Sequence, residues 1–132
     1  TGEAHKGKMA SPFYKVSKEA KMSGTVTLFE NSERYLRDFV SVEDVVETHI
    51  KLIENQQSGI FNIGTGRPTS FQEVGEKIAK KYGAEILYRK MPDQLVGQYQ
   101  AYTCANVKKL NSLIQMRWTP IADYIEEHEC NL

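Results

Sequence analysis

"SGIFNIGTGRPTSFQEVGEKIAKKYG", residues 58–83, predicts a strand, a tight loop and a helix in that order. The apolar run before Gly64 and Gly66 is typical of a short buried strand of the kind found in parallel sheets. A threonine or serine then caps a helix that carries its apolar residues on one side and ends at Gly83. This order of elements is an α/β unit, so we predict an α/β fold.

The segments on either side continue the same mixture of short strands and helices. Alternating or β-branched residues predict strands at 25–29, 37–42, 84–89 and 100–105. Capping residues and helical spacing of apolar side chains predict helices at 11–22, 41–55, 106–113 and 121–129. The length suits a single domain, so we predict one unit of short strands and packed helices over residues 1–132.

The composition argues against several classes of function. Lys and Arg number 17, as do Asp and Glu, so the chain lacks the basic surplus of a nucleic-acid-binding protein. No apolar run approaches the roughly 18 residues of a membrane span, and the start of the chain has no signal-peptide pattern. The two cysteines and three histidines lack metal-ligand spacing, so we expect no metal and a reducing cytoplasm.

The glycines of "NIGTG", residues 62–66, could belong to a dinucleotide-binding loop because they lie between an apolar run and a predicted helix. The third glycine of the G-x-G-x-x-G pattern is missing, since Thr69 occupies its position. We interpret the loop as a structural turn in which glycine lets the backbone approach a neighbour closely, with a cofactor loop as the alternative.

Four motifs carry a resemblance to a known family. They are "HKGKMAS" (5–11), "LFENSERYLRDFVSVEDVV" (28–46), "SGIFNIGTGRPTSFQEV" (58–74) and "PDQLVGQYQAYTCA" (92–105). In order and separation they resemble the C-terminal portion of the ADP-glyceromanno-heptose 6-epimerases, which are extended short-chain dehydrogenase/reductases. The resemblance implies that residues 1–132 are a substrate-binding portion. It also implies that the Rossmann half, with its phosphate loop and tyrosine base, is absent from this chain.

The resemblance also implies an activity. Enzymes of this family use NADP to interconvert ADP-D-glycero- and ADP-L-glycero-β-D-manno-heptose at C6'' for the lipopolysaccharide core. They remove a hydride to give a transient ketone and return it to the other face. Two acid/base groups are then useful, and the resemblance assigns the second to Lys6, which would also contact the cofactor. The family forms homo-oligomers. The alternative for Lys6 is a solvated lysine.

The resemblance implies a substrate-binding set as well. Arg37 suits the pyrophosphate through bidentate contacts, with a surface salt bridge to Asp38 or Glu33 as the alternative. Tyr99 would contact substrate, or else serve only in packing. The remaining members line the nucleotide or stand where the family commonly carries substrate contacts: Lys8, Lys15, Phe29, Glu30, Asn31 and Ser32.

Two further residues are interpreted as structural. We expect Asp44 to receive backbone donors at a helix start, and His49 to lie at the edge of the core. Two other functions stay open, namely a different nucleotide-sugar epimerase or dehydratase, or a non-catalytic nucleotide-sugar-binding module. By itself the chain is expected to be inactive and to expose apolar surface that another part of the enzyme would cover.

Overall fold

The computed structural model describes residues 3–128 and confirms the predicted α/β class. Two short 3-10 turns at Ala4–Met9 lead into α1 (Pro12–Ser23) and β1 (Thr25–Phe29). A further 3-10 turn, Ser32–Arg34, precedes β2 (Leu36–Arg37) and α2 (Val42–Glu54). The rest comprises β3 (Thr69–Ser70), α3 (Phe71–Tyr82), β4 (Glu85–Arg89), β5 (Tyr102–Thr103), α4 (Lys108–Asn111) and α5 (Ile121–Glu127).

Local sequence explains the ends of the long helices. Ser11 caps α1 by accepting the Tyr14 backbone N–H at 3.2 Å, and Ser41 and Ser70 cap α2 and α3 in the same way. Gly24 ends α1 and Gly83 ends α3, both in the left-handed conformation that glycine adopts most easily. The predicted bounds of these helices therefore hold to within a few residues.

Two small sheets organise the strands. In the first, β1 lies parallel to β4 with Phe29 opposite Arg89 at the end of the ladder. In the second, β2 lies between β3, which is antiparallel to it, and β5, which is parallel. The main core lies between α1, β1, α3 and α5, and its fully buried side chains include Val26, Ile78 and Ile125.

The predicted strand at 58–66 is wrong. Gly59 has φ 131°, and Ile60 is 90% exposed. The segment is held instead by side chains, since Lys109 Nζ donates to the Ile60 carbonyl at 2.9 Å. An apolar run becomes a strand only where another strand pairs with it, and none within residues 3–128 does so. The strand predicted at 37–42 is likewise reduced, to Leu36–Arg37.

The outward face of α2 is apolar. Its exposed residues recur at helical spacing and are 49% to 74% exposed: Val42, Val46, Ile50 and Ile53. His49 lies on the same side and is exposed, so its predicted place at the core edge is wrong. Asp44 is structural as predicted, but it accepts from the Thr119 backbone N–H at 2.8 Å and from the Thr119 hydroxyl at 3.0 Å.

No helix in residues 3–128 is both long enough and apolar enough to cross a bilayer.

Candidate functional site

A cavity of about 300 Å³ opens beside the carboxyl ends of β1 and β4. We call it the aromatic cavity, because four of its lining residues are phenylalanine or tyrosine. One wall is a face of α1, and the others come from β1, the segment between β1 and β2, the start of α3, the end of β4 and the segment before β5. The lining residues are Pro12, Lys15, Val16, Glu19, Thr27, Leu28, Phe29, Ser32, Tyr35, Phe71, Arg89 and Tyr99.

Tyr99 joins the aromatic rings of this cavity into one cluster. Its ring centroid lies 5.2 Å from that of Tyr35, 6.4 Å from Phe71 and 6.5 Å from Phe29. The Tyr35 and Phe29 pairs are edge-to-face, which is a favourable geometry for aromatic rings. The cluster offers planar apolar surfaces of the kind on which a nucleobase stacks.

Arg37 supports this cluster from outside the cavity lining. Its guanidinium carbon lies 5.2 Å from the Tyr99 centroid and 5.6 Å from the Phe71 centroid, which is cation–π distance. Nη1 donates to the Leu36 carbonyl at 2.8 Å, and Nη2 donates to the Gln100 carbonyl. Two guanidinium nitrogens that were expected to bind pyrophosphate therefore donate to backbone carbonyls.

The alternative prediction for Arg37, a surface salt bridge to Asp38 or Glu33, is not seen in residues 3–128. Glu33 pairs with Arg34, with Oε1 and Nε 3.6 Å apart. Asp38 accepts hydrogen bonds from residues 65, 66 and 105 instead of pairing with Arg37.

Lys15 and Arg89 are the basic residues of the cavity lining. Lys15 was predicted to contact substrate, and its position one turn into α1 places it on the cavity wall. Arg89 was missed by sequence reasoning. Its guanidinium carbon lies 4.9 Å from the centroid of the Phe29 ring, the residue opposite it in the β1–β4 ladder. The sequence did contain a signal for Arg89, since it is a basic residue at the end of the strand predicted at 84–89.

The predicted nucleotide segment 29–32 divides between the cavity and the surface. Phe29 and Ser32 line the cavity, but the buried Ser32 hydroxyl donates to Gln72 Oε1 at 2.6 Å. Glu30 and Asn31 are exposed and lie outside the cavity lining. Asn31, with φ 61°, instead shapes the turn after β1.

Lys6 lies at a different cavity, of about 260 Å³, which shares no lining residue with the aromatic cavity. Its Nζ is 3.1 Å from Glu3 Oε1. Burial would raise the pKa of the Glu3 carboxyl, but hydrogen bonds from Ser11 and Lys6 outweigh it and leave this pKa below its ordinary value. The side chain of Lys8 lies outside the described part of the structure.

The loop of Gly64 and Gly66 surrounds the Asp38 carboxylate. The backbone N–H groups of Thr65 and Gly66 donate to it at 2.9 Å, and that of Ala105 donates at 3.1 Å. A Cβ at position 64 would lie 2.7 Å from Asp38 Oδ2, so only glycine fits there.

This loop is the predicted structural turn, because its donors are used on a carboxylate of the same chain. In residues 3–128 it does not fit a dinucleotide pyrophosphate. The same part of the chain contains no group of three or more His, Cys, Asp or Glu side chains that could hold a metal ion.

Comparisons with known proteins agree with the sequence motifs. Residues 1–64 match the NAD dependent epimerase/dehydratase family. Over 112 residues, 83% of this chain and 35% of the relative, the sequence is 43% identical to ADP-L-glycero-D-manno-heptose-6-epimerase of Brachyspira hyodysenteriae.

Solved structures give the same result for the fold. The crystal structure of ADP-L-glycero-D-manno-heptose-6-epimerase of Helicobacter pylori superposes with a TM-score of 0.77 at 26% identity, over 95% of this chain and 38% of that one. The UDP-Glc/GlcNAc 4-epimerase of Campylobacter jejuni shares the fold, with a TM-score of 0.65 at 21% identity over 86% of this chain and 37% of that one.

The chain thus spans between 35% and 38% of the length of these relatives. The resemblance that the motifs indicated is confirmed in both sequence and structure: this chain has part of the extended short-chain dehydrogenase/reductase fold of the nucleotide-sugar epimerases.

Proposed function

We propose that this chain is the substrate-binding portion of an NADP-dependent epimerase that interconverts ADP-D-glycero- and ADP-L-glycero-β-D-manno-heptose at C6''. The observation that carries the proposal is the aromatic cavity, which combines stacking rings with basic side chains at the carboxyl ends of two parallel strands. Ligands of open α/β sheets bind at this edge of the strands. The 43% identity to a heptose epimerase supports the choice of sugar.

In this proposal the aromatic cavity holds the nucleotide. The adenine stacks within the cluster around Tyr99, and the Lys15 ammonium attracts the diphosphate. Arg37 acts as a positioning residue, because it ties the Tyr99 segment to β2 through the Gln100 carbonyl. Ser32 likewise holds the end of the cavity against α3 through Gln72.

Lys6 is proposed as the acid/base group of this chain. Its ammonium is bound to Glu3, so Lys6 must leave that carboxylate and release a proton to water before its neutral amine can accept a proton from a sugar hydroxyl. NADP supplies hydride removal and return when bound. Because the described glycine loop surrounds Asp38, the proposal assigns most of the cofactor site to the Rossmann half found in enzymes of this family. We also propose that the complete enzyme is a homo-oligomer that works in the cytoplasm and supplies heptose for lipopolysaccharide synthesis.

The test separates binding from catalysis. Calorimetry with ADP-heptose should show binding that Lys15→Ala weakens, while Lys18→Ala, an exposed lysine on the same helix, leaves it unchanged. With the complete enzyme and NADP, NMR of the sugar should show inversion at C6'' that Lys6→Ala abolishes without loss of ADP-heptose binding. Absence of both binding and inversion would disprove the proposal.

A second candidate is an epimerase or dehydratase for another nucleotide sugar, and a third is a binding module without catalysis. Competition between ADP-heptose and UDP-glucose for the aromatic cavity distinguishes the heptose epimerase from an enzyme for another nucleotide sugar. Tight ADP-heptose binding without inversion by the complete enzyme would favour the module.

A further inference from the structure

Arg89 is a cation whose hydrogen-bond donors are free to meet a ligand. Within residues 3–128 its guanidinium makes no hydrogen bond and no ion pair, and its contact there is the Phe29 ring at 4.9 Å. Arg37 differs, because two of its donors are used on the carbonyls of Leu36 and Gln100. A planar guanidinium held over an aromatic face is well oriented but still offers its outer edge.

The charge of the cavity favours an anion beside Arg89. Lys15 and Arg89 are its basic lining residues, and Glu19 is its acidic one. Glu19 is already engaged, since its Oε1 accepts the Thr27 hydroxyl. With two cations and one anion, the lining has an excess of positive charge, which attracts a phosphate.

Register fixes Arg89 at this position. Phe29 and Arg89 are opposite each other in the parallel ladder, and the Glu30 backbone N–H donates to the Arg89 carbonyl at 2.9 Å. The backbone of Arg89 is thus anchored at the mouth of the cavity. A strand end that is paired to its neighbour in a fixed register gives a phosphate-binding side chain a defined starting point.

We propose that Arg89 is a further substrate-binding residue, which grips the diphosphate of the nucleotide sugar with its guanidinium fork while Phe29 holds the plane of that fork. The inference rests on the proposed function and deepens it, because it makes Arg89, rather than Arg37, the bidentate contact. The ligand class is a nucleoside diphosphate. Lys15 assists as a second cation.

Calorimetry with ADP and with adenosine tests the assignment. Arg89→Met should weaken ADP binding by roughly tenfold or more, because charge-assisted hydrogen bonds are lost, and should change adenosine binding by less than about twofold. The control is Arg34→Met, since Arg34 is 76% exposed in its side chain and lies outside the cavity lining. Arg89→Lys keeps the charge but loses the fork, so it should weaken ADP binding less than Arg89→Met does.

Other results of these binding measurements would contradict the role proposed for Arg89. Unchanged ADP binding by Arg89→Met, with normal binding by the wild type, overturns the role of Arg89 and leaves the proposed function standing. Equal weakening of ADP and adenosine shows that Arg89 acts only through the Phe29 ring. If the wild type binds neither ADP nor ADP-heptose, the proposed function fails as well. Should Arg89→Met lower the unfolding midpoint, the Arg89→Lys comparison decides alone.

Discussion

Replacement of Asp38 by asparagine should destabilise the fold, although the two side chains have nearly the same shape. Asp38 Oδ1 accepts from Thr65, through both its backbone N–H and its hydroxyl. Oδ2 accepts from the backbone N–H groups of Gly66 at 2.9 Å and Ala105 at 3.1 Å. An asparagine amide has one oxygen, so its NH₂ group must face one of these two pairs of donors.

The magnitude follows from the donors left without an acceptor. An unsatisfied buried donor costs about 1–3 kcal/mol, and either orientation of the amide leaves at least one backbone N–H, that of Thr65 or those of Gly66 and Ala105, without its acceptor. Asp38 is only partly buried, so water compensates for part of this cost. We therefore expect a loss of about 2 kcal/mol in the free energy of unfolding at neutral pH.

The pH dependence gives an independent check. Burial would raise the pKa of the Asp38 carboxyl, but the Thr65 hydroxyl and the backbone N–H groups of Gly66, Ala105 and Thr65 outweigh it and lower the pKa below its ordinary value. A lowered pKa in the folded state stabilises the protein above the ordinary pKa, and this contribution is lost as pH falls through the folded value. The difference between wild type and Asp38→Asn should therefore be full at pH 7 and shrink below about pH 4.

Urea unfolding followed by circular dichroism measures both effects. Asp93→Asn is the matched control, because Asp93 is exposed in the loop before Tyr99. The reasoning is refuted if Asp38→Asn costs no more than Asp93→Asn at pH 7, or if the difference between variant and wild type persists unchanged at pH 3.

Substitutions at three further positions test other parts of the fold by the same unfolding assay, and the last is also tested by sedimentation. Gly64→Ala should cost about 1–3 kcal/mol, because its Cβ would lie 2.6 Å from the Ala105 Cβ; a cost near zero would mean that the loop can move aside. Ser41→Ala removes the cap of α2 and should cost about 1 kcal/mol, whereas Ser41→Asp should restore stability. Ile53→Glu, at a position 74% exposed, should change stability by less than about 0.5 kcal/mol. The same change should reduce self-association in sedimentation experiments, and unaltered association would show that the apolar face of α2 does not mediate it.

Much of the helical structure could be predicted from short stretches of sequence. Ser11, Ser70, Gly24 and Gly83 mark helix ends through contacts with residues three or four positions away. The alternation in residues 25–29 similarly predicts β1, whose burial alternates along the strand. The apolar run at 58–63 failed because its local pattern says nothing about whether a partner strand exists.

The candidate site, like the fold, could be predicted only in part from the sequence. The motifs pointed to Lys15, Phe29 and Tyr99, which the structure brings together at the aromatic cavity. They also pointed to Lys6, which lines a different cavity, and they gave no indication of Arg89.

By itself the sequence determined the α/β class, the main helices, the strands at 25–29 and 84–89, and the family resemblance, because caps, periodicity and motifs are properties of residues near one another in the chain. The tertiary structure alone decided that Arg89 stacks on Phe29, that Arg37 is tied to backbone carbonyls and that the glycine loop surrounds Asp38. These contacts depend on strand register and helix packing between distant segments. Their free energy comes from many weak interactions that form only when the whole fold has assembled.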